Sequence, residues 1–192
     1  MKKLVSFLKK AKKLSNNFII SDFGHGFINK EISDFLSSRG FNYTLNAQIN
    51  SANRGYHGLF KYKNPNSIII NESELRYEFK DKYSSMENLI IKLSSKLKSK
   101  TIVVTRGPEG AMSFSKKEGF LNCPAFSHKI VDRVGAGDAV LGIFSLCKFA
   151  GLDNDLSLFL SSISGGYQTS IVNNKSFLDR ANLLKQINHL LK

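Results

Sequence analysis

The sequence predicts an α/β protein with a doubly wound, mostly parallel sheet and helices on both faces. Two observations carry the prediction. Short, largely apolar runs at 17–21, 67–70 and 101–105 suit strands buried on both faces. Between them lie segments with apolar residues at helical spacing, and strands alternating with helices define this fold class. In such folds the sites sit at the carboxyl ends of the strands.

The elements follow in chain order. Residues 1–14, MKKLVSFLKKAKKL, hold six lysines, with Leu4, Leu8 and Ala11 and also Phe7 and Leu14 at helical spacing. They predict a basic amphipathic N-terminal helix. It either covers a sheet as a surface helix or binds an acidic membrane surface or acidic partner. The lysines recur throughout instead of leading one apolar stretch, so the segment does not read as a signal peptide. A strand at 17–21 is followed by a helix over 29–38, with Asn29 as its cap and Ile32, Phe35 and Leu36 as its apolar face. Gly40 stops it. A strand at 41–45, a loop over 51–66 and a strand at 67–70 come next. A helix begins near Asn71, and another over 85–97 turns Leu89, Ile90, Leu93 and Leu97 inward. The strand at 101–105 precedes a hairpin of 111–115 and 119–121. An extended piece ends at Ile130 and Val131, before helices over 136–150, 152 to about 164, and 176–191. No internal repeat or linker interrupts the chain, so 1–192 is expected to be one domain.

Composition excludes several classes. At 192 residues, with 42% apolar and 22% charged residues, the chain is neither disordered nor fibrous. No apolar run approaches the roughly 18 residues of a membrane-spanning helix. The net charge is +13, but the basic residues are 22 Lys and only 6 Arg. Sequence-specific nucleic-acid readers depend on the Arg fork, so nucleic acid is not the expected partner. Cys123 and Cys147 each sit among apolar residues and make no disulfide framework. The cytoplasm is the expected compartment.

The chemistry concentrates in 131–144, VDRVGAGDAVLGIF. A glycine-rich turn leads into a helix whose first N–H groups lack intrahelical acceptors and carry partial positive charge. Gly135, Ala136 and Gly137 have little or no side chain, so an anion can approach their amides. Asp138 lies in the same turn. The alternative is a tight turn with an ordinary helix-start acid. Neither the dinucleotide fingerprint nor a Walker loop fits, because Val140 replaces the third glycine and no GK[ST] follows. Elsewhere, Asn71-Glu72-Ser73-Glu74 reads as a helix cap with first-turn acids, and 105–110, TRGPEG, as a hairpin lead-in. Asn46-Ala47-Gln48 and Asn53-Arg54-Gly55-Tyr56 form polar patches that line a pocket or cap loop backbone.

VDRVGAGD resembles the second signature, D-T-x-G-A-G-D, of the ribokinase-like (PfkB) carbohydrate kinase family. Asp132, Gly135, Ala136, Gly137 and Asp138 match it, while Arg133 stands in place of the usual Thr. In the same order, Asn71 and Glu74 resemble the family's N-x-x-E, and Thr105-Arg106-Gly107 with Gly110 resembles its T-x-G segment. Residues 21–26, SDFGHG, resemble the S-D-Y-G-K-G of the heptose-phosphate kinase branch, with His25 for the lysine.

The resemblance implies a ribokinase-like fold lacking the N-terminal lid region, with ATP and Mg²⁺ as cofactors and phosphoryl transfer to a hydroxyl of a sugar or sugar phosphate. It implies Asp138 as general base and Gly135, Ala136 and Gly137 as the anion hole. Thr105, Gly107 and Gly110 would border ATP. Asp22, Asn53 and Asp132 would face the substrate, and Asn71 and Glu74 would act on the metal through phosphate or water. The expected partners are nucleotide, sugar substrate, and a second copy or another chain that supplies the lid. The alternative is a catalytically impaired nucleotide-binding module, or a subunit completing a partner that carries the missing half.

Overall fold

The computed structural model describes residues 2–49, 58–126, 130–172, 175–176 and 178–190. Six strands follow one another in chain order: β1 (Asn17–Asp22), β2 (Asn42–Ala47), β3 (Ser67–Asn71), β4 (Thr101–Thr105), β5 (Ala111–Ser115) and β6 (Gly119–Cys123). The helices are α1 (Lys2–Leu14), α2 (Lys30–Ser38), α3 (Glu72–Phe79), α4 (Met86–Leu97), α5 (Ala136–Phe149), α6 (Asn154–Thr169) and α7 (Arg180–Leu190). The chain divides into two compact units, Met1–Ile102 and Val103–Lys192.

In the first unit β1 pairs parallel with β2 from Asn17 opposite Asn42 to Asp22 opposite Ala47. β2 pairs parallel with β3 at Thr44–Ser67 and Leu45–Ile68. Ile68, Ile69 and Ile70 are all buried, as a strand covered on both faces requires. α2 starts where the sequence places it, because the Asn29 side chain accepts the Ile32 N–H at 3.0 Å. α4 is capped by Ser85 and buries Leu89, Ile90, Leu93 and Leu97, the face its spacing predicts.

α1 forms as expected. Leu8 is buried, and Leu4, Val5, Ala11 and Lys12 are half-buried. Phe7 and Leu14, the other two apolar residues at helical spacing, are 63% and 90% exposed. At about 100° per residue the inward stripe is completed by Val5 and Lys12, which leaves Phe7 and Leu14 on the far side. The Lys12 ammonium lies 4.8 Å from the Phe41 ring centroid, a cation–π contact that uses the lysine's stem as cover.

In the second unit β5 and β6 form the expected antiparallel hairpin, with Ala111 opposite Cys123. α5 and α6 pack closely because Gly165 presents no side chain. A Cβ there would lie 2.7 Å from Val140 Cγ2. Ser145, Ser157 and Ser161, all fully buried, return their hydroxyls to carbonyls of their own helices or the residue just before. Ile130 and Val131, expected to end an extended piece, lie in no strand, and residues 127–129 before them lie outside the described residues. The N–H groups of Val131 and Asp132 instead share the Thr169 carbonyl, at 2.8 and 3.1 Å, at the end of α6. Both cysteines are buried and free, as expected.

The orientation of α1 is testable by urea unfolding. Leu8→Ala should cost about 2–3 kcal/mol, the low end for a buried leucine. Phe7→Ala should change stability by less than about 0.5 kcal/mol, as for an exposed site.

Candidate active site

The carboxyl end of β1 carries a buried ion pair. Asp22 is 3% exposed. Its Oδ2 accepts the Tyr62 hydroxyl at 2.6 Å and meets Lys61 Nζ at 2.6 Å, while Oδ1 accepts the Gly24 N–H at 3.0 Å. Burial alone would push this carboxyl up. The bonds from Lys61, Tyr62 and Gly24 and the lysine charge outweigh it and hold Asp22 below the usual carboxylate range. Burial first, then the adjacent carboxylate, push the Tyr62 phenol far up, so it stays a donor. Lys61 Nζ also donates to the Ile28 carbonyl at 2.5 Å. The turn between β1 and α2 is thus held at both ends, with exposed His25 between Gly24 and Gly26, both of positive φ. Lys61 and Tyr62 were missed in the sequence. A lysine-flanked tyrosine in a loop carries no signal that it meets a residue forty positions earlier.

At the end of β3, Asn71 and Glu74 form a capping box. Asn71 Oδ1 accepts the Glu74 N–H at 2.8 Å, and Glu74 Oε2 accepts the Asn71 N–H at 3.2 Å. Glu74 Oε1 takes the Ile49 N–H at 3.2 Å. Burial pushes the Glu74 carboxyl up, and these backbone donors only partly offset it. Of the polar patches, Asn46 is buried and gives its Nδ2 to the Ile69 carbonyl at 2.9 Å. Asn53, with Arg54, Gly55 and Tyr56, lies outside the described residues.

In the second unit, Thr105 ends β4 and a 3-10 turn, Gly107–Glu109, follows. The Arg106 N–H donates to the Gly110 carbonyl at 2.8 Å and closes the turn, and Arg106 pairs with Glu109. Gly107 has φ +58 and open space where a Cβ would stand. Gly110 has φ +83, and a Cβ there would lie 2.1 Å from the Cys123 carbonyl. Close backbone approach within the hairpin therefore dictates that glycine.

The α5 start is built differently from those of α2, α3 and α4. Asp132 Oδ1 accepts the Val134 N–H at 3.0 Å and turns the chain. Gly135, at φ +81, is the cap residue and offers no side-chain bond. A Cβ on Gly137 would meet nothing within 4 Å. Asp138 stands exposed in the first turn. The helix dipole alone would favour its ionised form, but desolvation pushes its carboxyl above the usual range. Arg133 is exposed.

In chain order, the strand ends carrying N-x-x-E and T-x-G precede a glycine-capped helix start with a following aspartate. The pfkB family carbohydrate kinase pattern matches residues 25–165, and the chain belongs to that family. The bifunctional protein HldE of Desulfatibacillum aliphaticivorans is 25% identical over 173 residues, covering 88% of this chain and 34% of that protein. Among solved structures, Escherichia coli phosphofructokinase-2 in complex with potassium has a TM-score of 0.75 at 15% identity, covering 92% of this chain and 57% of that one. Arabidopsis thaliana ribokinase complexed with ribose and ATP has a TM-score of 0.71 at 16% identity, over 90% and 56% of the two chains. A Burkholderia thailandensis nucleoside kinase in complex with inosine has 0.72 at 17%, over 92% and 58%. These structures share the ribokinase-like fold with this chain, which spans about a third of the curated relative and little more than half of the solved ones. No described helix is long and apolar enough to cross a membrane.

Two outcomes follow from the geometry. Gly110→Ala should destabilise the protein by about 2 kcal/mol or more, through positive-φ strain and the clash, measured by urea unfolding. For Asp22 the folded carboxyl lies below its ordinary 3.8. Its stabilisation is therefore present above that pH and is lost as pH falls through the lower folded value. Lys61→Met leaves a buried, poorly matched charge and should cost about 3 kcal/mol at neutral pH. The variant should also lose less stability than the native protein on acidification below pH 3.8, in urea midpoints taken across that range.

Proposed function

We propose that the chain carries the nucleotide-binding and catalytic part of an ATP-dependent kinase acting on a hydroxyl of a sugar or sugar phosphate. The heptose-phosphate kinase branch is the nearest in the S-D-F-G-H-G segment. The observation that carries the reading is the start of α5, where a left-handed glycine cap and an unobstructed Gly137 stand directly before Asp138.

The residues fit a nucleotide phosphate. The cap residue of α5, Gly135, brings no side chain to the helix start, which suits an anion approaching the amides of the first turn. For magnesium the fit is indirect. Among the described residues no three His, Cys, Asp or Glu side chains converge on one point. That suits an ion that keeps most of its waters and rests on nucleotide phosphates. Bound ATP supplies the transferred phosphoryl group, and magnesium neutralises part of its charge.

Asp138 orients the acceptor hydroxyl and takes its proton, and the amides of Gly135, Ala136 and Gly137 stabilise charge on the phosphoryl oxygens. Thr105 and Gly107 border the nucleotide, and Gly110 holds that turn in place. Asn71 and Glu74 act on the metal through water. Each Glu74 oxygen already accepts one backbone N–H, which orients the carboxylate. Asp22 serves the acceptor side by shaping the turn it anchors, and Asp132 by fixing the approach to Gly135. A second reading, a nucleotide-binding module without turnover or a subunit completing a partner, is favoured by Arg133. It adds a cation beside the anion hole where the family has a hydroxyl.

The test combines a thermal shift with MgATP and a coupled ADP-release assay, using fructose 6-phosphate, ribose and inosine as acceptors. Asp138→Asn should lower turnover by about 10²–10⁴-fold and leave the MgATP shift intact. Retained turnover would remove Asp138 as base. Because desolvation raises the Asp138 carboxyl, activity should fall on acidification through a value above 3.8. Gly137→Val should shrink the MgATP shift without loss of stability in the free protein, since the space beside it is open. Arg133→Thr separates the two readings. A gain in turnover marks an impaired kinase, and a loss marks Arg133 as a phosphate ligand.

A further inference from the structure

We propose that the solvent face of α1 is a docking surface for an anionic phospholipid bilayer. Its inward face is already used by the fold through Leu4, Val5, Leu8, Ala11 and Lys12. The outward face holds Lys3, Lys9, Lys10 and Lys13, all exposed, and α1 contains no acidic residue. On the same face stand Phe7 and Leu14, 63% and 90% exposed. At about 100° per residue these two fall within about 20° of one another around the helix, with Lys3 and Lys10 immediately beside them. The face is therefore segregated: an apolar edge, then two lysines, then two more. It combines electrostatic attraction with side chains that can enter the acyl boundary, the two components of interfacial helix binding.

Charge complementarity requires an anionic partner, and the apolar edge decides which one. The side chain of an exposed leucine gains free energy by leaving water for hydrocarbon. A nucleic-acid backbone offers Leu14 no such environment, and α1 has no arginine to fork onto phosphate or guanine. An anionic bilayer satisfies the lysines and the apolar edge together. The net charge of +13 adds long-range attraction in the same sense.

The full chain has no tryptophan, so Phe7→Trp introduces a single fluorescent reporter. Vesicles of phosphatidylcholine alone are compared with vesicles of phosphatidylcholine and phosphatidylglycerol in equal parts. The expected result is co-sedimentation and a blue shift of the indole emission with the mixed vesicles only. Binding should weaken as salt shortens the Debye length from about 30 Å at 0.01 M to about 10 Å at 0.1 M. Lys3→Glu with Lys10→Glu should reduce partitioning at least tenfold, each lysine being worth about fivefold near an anionic surface. Phe7→Ser with Leu14→Ser should also weaken it, with unfolding midpoints unchanged because both side chains are exposed. Absence of binding to the mixed vesicles at low salt would overturn the proposal. So would binding to a single-stranded oligonucleotide that exceeds vesicle binding and ignores Phe7→Ser with Leu14→Ser.

Discussion

Parallel strands need crossover connections, usually helical, and every helix start leaves backbone N–H groups without intrahelical acceptors. How this chain satisfies those groups governs much of its structure. α2 uses Asn29, α3 uses the reciprocal pair of Asn71 and Glu74, and α4 uses Ser85. In each case a short polar side chain folds back on the helix and fills the place an external anion would take. At α5 the cap residue is Gly135, which has no side chain to fold back. A buried or crowded helix start in that state would be costly. An open one is suited to receive an anion. α6 likewise takes no bond from its cap residue Asp153, although Glu118 Oε1 accepts its Asn154 N–H at 3.4 Å, so α5 is set apart by a cap residue that has no side chain at all.

Three carboxylates illustrate how placement sets chemistry. All are desolvated to some degree, which by itself favours the neutral acid. Asp22 meets a lysine, a phenol and an amide, and the balance reverses, so at neutral pH it is an anion that organises the turn beyond β1. Glu74 takes hydrogen bonds from Asn71 and Ile49, but burial outweighs them and its carboxyl stays above the usual range. Asp138 stands in the first turn of α5 and still rests above the ordinary range through desolvation.

The lysine excess has a similar division. Lys61 is drawn into a buried pair, and Lys12 and Lys96 lie over aromatic rings. Other lysines, those of the outer face of α1 among them, remain in solvent. Composition alone gives one large charge. Only burial sorts it into structural cations and a surface.

Local chemistry determined a good deal of this protein. The caps at Asn29, Asn71 and Ser85, the inward face of α4, strand β4 and the hairpin of β5 and β6 all follow from side chains within a few positions of one another. The GAGD turn was legible for the same reason, since small residues before a helix act through their own backbone. Tertiary structure decided the rest. It brought Lys61 and Tyr62 to Asp22, gave Ile49 to Glu74, set Gly110 against the Cys123 carbonyl, and turned Phe7 and Leu14 outward. It also tied the N–H groups of Val131 and Asp132 to the Thr169 carbonyl at the end of α6. Each of these depends on which distant segment occupies the neighbouring space, and periodicity along the chain carries no term for that.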